Sequence, residues 1–226
     1  MSQDTRIMSE ASPNLLRVAR KAGIDASVDP SAALVAIVFG AFSVESFVNE
    51  LLARVREDQN LEYSKELTTL RELIAAARLE ERTASLRTKV DVICVALTGR
   101  TADFGKAPLQ DFGELIRLRD ELAHNRPERL ITEAGVTIEG HPTDIQTRLH
   151  ERATFLVSRG VVATPQPDTL TALIALLHSA RVAHWAHNTA VDTIRALIAM
   201  LPNDGWRARA VWGLGLGKLP VEPTAA

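Results

Sequence analysis

From about Ser31 to Glu57 the chain carries the segment ALVAIVFGAFSVESFVNELLARVRED, with Asp29 and Ser31, residue types that cap helices, ahead of it. The first half of this segment is apolar on nearly every side, and the second half becomes amphipathic. A helix of that kind must be enclosed by other elements, so the stretch from Ser31 to Glu57 is expected to be the central helix of a bundle. The material available for its surroundings points the same way. Aromatic residues make up only 4% of the chain while Ala and Leu are plentiful, which suits close-packed helices and disfavours a large β-structure. The expected fold class is all-α, a multi-helix bundle.

The 226 residues contain no Pro/Gly/Ser-rich stretch long enough to be a linker, so a single domain over 1–226 is expected, with its core at about 31–201 and a flexible or docked tail at 202–226. Helical patterns predict further helices at about 13–22, 64–80, 85–97, 143–158 and 169–201. Pro108 opens another, LQDFGELIRLRDELAHN, which stops before Pro127 because proline disfavours helical geometry in the residue ahead of it. From Arg129 to Glu139 the runs RLIT and VTIE around Glu133-Ala134-Gly135 suit a small β-hairpin insertion.

The formal net charge of -2 gives no long-range attraction to a polyanion, so any nucleic acid would need a local basic patch. Cys94 is the only cysteine, which removes intramolecular disulfides and suits a reducing compartment. The opening MSQDTRIMSE lacks a signal pattern, and the longest uncharged run, Pro30 to Val44, is short for a bilayer. A cytoplasmic protein without a membrane partner is expected.

On a helical wheel the Pro108 helix gathers Phe112, Leu115, Ile116, Leu118, Leu122 and Ala123 in one apolar arc, with Arg119 near its centre. The residues three and four positions from Arg119 are apolar, so it is expected to have no ionic partner on its own helix. A guanidinium so placed must find a carboxylate, a phosphate or a water-filled cleft. On the Ser31 helix, Glu45 and Asn49 stand one turn apart among Leu34, Val38, Ala41, Val48 and Leu52. Packing of the two helices would let Glu45 hold Arg119, with Asn49 satisfying further groups. The wheel alone leaves open whether such a pair fixes helix register or serves a site.

The string Arg119-Asp120-Glu121-Leu122-Ala123-His124 resembles the arginine, four-residue spacer, histidine signature of the HEPN superfamily, in which Asn, Asp or His typically follows the arginine. Glu45 and Asn49, in ESFVNELL of an earlier helix, are similar to a polar pair in many such proteins. The resemblance implies an all-helical domain that works as a homodimer, bringing two motifs to one cleft that cleaves RNA without metal or cofactor. A non-catalytic relative serving dimerisation, nucleotide binding or regulation is the alternative. In the catalytic case Arg119 binds the phosphate and its developing charge, and His124 moves a proton for attack by the 2'-hydroxyl. Asp120, four residues before His124, orients the imidazole. Arg117, Arg126 and Arg129 are candidates for RNA binding, partly cancelled by Glu114, Glu121 and Glu128. Residues five apart lie about 140° apart on an ideal helix, so Arg119 and His124 need helix deformation or two-fold pairing to converge. The family also implies settings such as toxin–antitoxin pairs, antiphage defence or RNA processing, with an antitoxin or other regulatory protein as partner. Some HEPN toxins carry a modifiable tyrosine two residues after the histidine; Arg126 stands there, and the only tyrosine is the distant Tyr63.

Other motifs carry less. His178, His184 and His187 lack metal-ligand spacing, and no metal is expected. Arg181, Asn188, Asp192 and Arg195 read as a solvated stripe. Trp185 reads as core, and Trp206 and Trp212 as part of a docked tail. The run Gly213 to Lys218 lacks the spacing and following helix of a phosphate loop.

Overall fold

The computed structural model of the chain describes residues 11–58, 64–79, 84–123, 142–163, 170–202, 204–211 and 214–220. Among the described residues there are nine helices and no strand: α1 (Ala11–Asp25), α2 (Ala32–Glu57), α3 (Lys65–Ala76), α4 (Leu86–Thr98), α5 (Leu109–Ala123), α6 (Pro142–Ser158), α7 (Leu170–Leu177), α8 (Ala180–Ala199) and α9 (Asp204–Val211). The fold is all-α. The hairpin expected at 129–139 lies outside the described residues.

Helix α2 is the central element, packed against α1, α8 and α5 and, less extensively, against α3 and α4. Small residues let it be enclosed tightly. A Cβ at Gly40 would come within 3.2 Å of the Ala186 carbonyl, so glycine sets the close approach of α2 to α8, flanked by buried Ala36, Ala183 and Ala190. By length and composition alone α2 is long and apolar enough to cross a membrane, a test that the core helix of a bundle also passes; half of its most apolar stretch is buried within the bundle.

Caps explain where several helices begin. Ser64 and Ser85 are extended and accept from the backbone N–H groups of Leu67 and Thr88 at 3.3 and 3.1 Å. Helix α4 stops at Gly99, whose φ of 71° is the left-handed cap conformation. Ser31 behaves differently from its expected capping role: its hydroxyl and amide both bond Asp29 Oδ1, at 2.6 and 3.0 Å. Helix α1 starts two residues before Pro13 because Glu50 of α2 supplies a cap from a distance, accepting from the Ala11 and Ser12 amides at 2.8 and 3.0 Å.

The single helix expected at 169–201 is two. Ser179 adopts extended geometry (φ -152°, ψ 148°), and its hydroxyl accepts from Val182 N at 3.2 Å, so α8 begins afresh after a break at His178–Ser179. The tail is docked where it is described. Asn188 brackets Leu219, donating to its carbonyl at 3.0 Å and accepting from its amide at 2.8 Å, while Arg195 donates to Leu216 O at 2.7 Å. The α8 stripe that reads as solvated is therefore the seat of residues 214–220. His184 and His187 belong to the same seat, each with a ring nitrogen on a tail carbonyl. Burial holds the His187 imidazole below the usual histidine range.

Candidate functional site

Helix α5 delivers Arg119 to the flank of α2. Its Nη1 donates to Glu45 Oε2 at 3.2 Å, its Nε lies 2.8 Å from Asp120 Oδ1, and its guanidinium carbon stands 5.2 Å from the centre of the Phe42 ring. The side chain is 16% exposed, whereas that of Glu45 is 40% exposed. The cation is thus held by two carboxylates and an aromatic face at an edge that water still reaches. The Glu45 contact is the pairing that the two wheels require. The Asp120 contact corrects the expectation that Arg119 lacks an ionic partner on its own helix, since the adjacent residue turns back onto it.

Asn49 does not join this group. It is exposed, and its amide oxygen accepts from Lys89 Nζ of α4 at 2.9 Å. Glu45, Asn49 and Arg56 of α2 and Lys89 of α4 nevertheless line one cleft of about 350 Å³ between α2, α3 and α4, together with the apolar Leu52, Ile74 and Leu86. Sequence reasoning missed Lys89, which sits in an unremarkable helix start; only the tertiary position of α4 puts it beside α2.

Arg117 faces elsewhere. It stands two residues, or about 200°, from Arg119 and lies 3.4 Å from Glu114 on the α6 side of α5. Arg117 and Arg119 therefore do not form one basic patch, and Arg126 and Arg129 lie outside the described residues, as does His124.

The α6 side of α5 holds a second set of charges. Glu114, 2% exposed, accepts from Arg152 Nη1 at 2.6 Å, and Asp111 meets Arg159 Nε at 2.7 Å. Burial pushes the carboxyl groups of both Glu114 and Asp111 above their usual range, against the opposing pull of the arginines. Glu114 Oε1 has no hydrogen-bond partner among the described residues. Phe155 of α6 adds an edge-to-face contact with Trp185 of α8 at 6.5 Å, in keeping with a core role for that tryptophan. No spacing within α5 marks Asp111 and Glu114 as buried; only the docking of α6 brings Arg152 and Arg159 to them.

Cys94 is buried, and burial raises its thiol above the usual range, the environment of an inert side chain. Among the described residues no group of three or more His, Cys, Asp or Glu side chains could hold a metal ion. No protein-family model, curated protein or solved structure matches the chain.

Proposed function

We propose that the chain is a HEPN-type endoribonuclease that cleaves RNA without metal as a cytoplasmic homodimer, in a toxin–antitoxin, antiphage or RNA-processing setting. The observation that carries this reading is the state of Arg119. It is oriented by Glu45, Asp120 and Phe42 in the last turns of α5, five residues before His124, yet its partner Glu45 remains partly in water. An oriented guanidinium at a wet edge can exchange a carboxylate for a phosphate oxygen and meet the charge that develops on it. The ribose 2'-hydroxyl attacks the adjacent phosphorus, the P–O5' bond breaks, and a 2',3'-cyclic phosphate and a free 5'-hydroxyl result. His124 of the paired motifs takes the proton from the nucleophile or returns one to the leaving oxygen.

The test is cleavage of diverse labelled RNAs by purified protein in chelator, with the ends identified. Cyclic phosphate ends, and loss of activity in both Arg119→Ala and His124→Ala, are expected. Undiminished cleavage by His124→Ala would sink the reading. A dimer by light scattering is part of the same expectation, since one chain supplies one motif.

One observation favours a second reading, a non-catalytic HEPN-like binding or dimerisation module. The charge of Arg119 already faces two carboxylates, which suits a structural clamp. RNA or nucleotide binding without turnover would identify that case.

A further inference from the structure

We infer that the bound RNA strand runs from Arg119 along α2 into the α2/α3/α4 cleft, where Lys89 takes the neighbouring phosphate; this rests on the ribonuclease reading. Three observations carry it. First, the two sites share a wall. Glu45 both holds Arg119 and lines the cleft, so a polymer reaching one enters the other without leaving the surface. Second, the two cations are spaced by the same helix. Arg119 is fixed at Glu45 and Lys89 at Asn49, one turn further along α2, a separation of about 6 Å of helix rise. Successive phosphates of one strand can bridge such a step. Third, Lys89 has charge to spare. Its ammonium rests on a neutral amide oxygen, and no carboxylate among the described residues pairs with it. A cleft lysine held by a neutral partner is poised for an anion, because the amide can be exchanged for a phosphate without separating an ion pair.

The cleft's volume, about 350 Å³, is enough for the sugar and base between those phosphates. Its apolar lining is aliphatic, with Leu52, Ile74 and Leu86 and no aromatic ring. A base there is held by apolar contact without stacking, so Lys89 contributes affinity and register more than base choice.

The experiment compares the parent with Lys89→Gln, Lys89→Glu and Lys89→Arg on labelled single-stranded RNA, following cleavage kinetics and binding over a salt series. Lys89→Gln is expected to raise KM and Kd roughly five- to ten-fold with kcat unchanged, and to flatten the plot of log affinity against log salt by about 0.7. Lys89→Glu is expected to do more, and Lys89→Arg to restore the parent values. Replacing the flanking phosphate by a neutral methylphosphonate should remove the difference between parent and Lys89→Gln. If the parent cuts RNA and Lys89→Gln matches it in KM and salt slope, the strand path is overturned while the ribonuclease reading stands. If the parent neither binds nor cuts RNA, that reading fails first and takes the path with it.

Discussion

Helix α5 makes two kinds of arginine–carboxylate contact, on opposite flanks and with opposite polarity. Towards α6 it supplies the acids, and the Glu114–Arg152 pair is closed off, at 2% and 11% exposure. Towards α2 it supplies the arginine, and the Arg119–Glu45 pair is left half-open, at 16% and 40%. Desolvation separates them. A closed pair costs hydration on both partners and has no water to fall back on when one is removed, whereas a half-open pair can trade its partner for solvent or for a ligand. The first has the character of a clamp between helices and the second that of a site.

The largest effect should therefore come from breaking the closed pair. Glu114→Ala leaves the largely buried Arg152 with only the exposed Glu151 carboxylate at 3.6 Å and should destabilise by about 3–5 kcal/mol, measured by urea unfolding. Replacing both partners together, Glu114→Leu with Arg152→Met, should recover most of that loss, because no uncompensated charge remains. A single Glu114→Ala variant as stable as the parent would remove the contrast between the two flanks.

The same pair sharpens the comparison through pH. The Glu114 carboxyl is raised above the ordinary 4.5, so the folded state keeps a proton that the unfolded chain has already released. The stability linked to that proton is fully present below 4.5 and is lost as pH rises through the folded value. Parent protein should thus gain on Glu114→Gln as pH falls through that window, in paired unfolding curves. A difference that moves the opposite way would mean that the ion pair outweighs burial.

On the α2 flank the effects should be smaller. Glu45→Ala should cost about 1 kcal/mol or less, because more than a third of that side chain is already in water. Arg119→Ala should cost about 1–2 kcal/mol, since it also removes packing against Phe42. Thermal unfolding of the two variants checks this order, and a loss for Glu45→Ala as large as that for Glu114→Ala would make both flanks clamps.

What the sequence revealed follows the same division. The central helix, the all-α class and the Arg119–Glu45 contact were legible because periodicity puts polar residues on otherwise apolar faces, and such residues must find each other. Glu114, which in the sequence only offsets neighbouring arginines, is buried because α6 packs against it, and no periodicity within α5 reports that. Asn49 and Lys89 went astray or unseen for the same reason: their meeting is set by the docking of α4 against α2. The α8 stripe of Asn188, Asp192 and Arg195 reads as solvated until residues 214–220 lie across it, held by Asn188 and Arg195 and by Lys218 on Asp192 at 2.6 Å. Patterns within one element, and the one pair they force together, were readable; contacts set by how α4, α6 and the tail dock were not.

Asp120 gives the smallest change in stability and the finest discrimination. Its side chain is 48% exposed and its oxygen lies against Arg119 Nε at 2.8 Å, so Asp120→Asn should alter stability by less than about 0.5 kcal/mol. On the proposed ribonuclease reading, its kinetic effect depends on which neighbour the carboxylate serves. If Asp120 chiefly neutralises Arg119, the asparagine frees positive charge for the phosphate, and KM for RNA should fall while kcat changes little. If it orients the imidazole of His124, kcat should fall and the pH–rate profile should shift to lower pH as the histidine loses its acidic neighbour. The contact with Arg119 favours the first outcome. A fall in kcat with unchanged KM would transfer Asp120 from the arginine to the histidine.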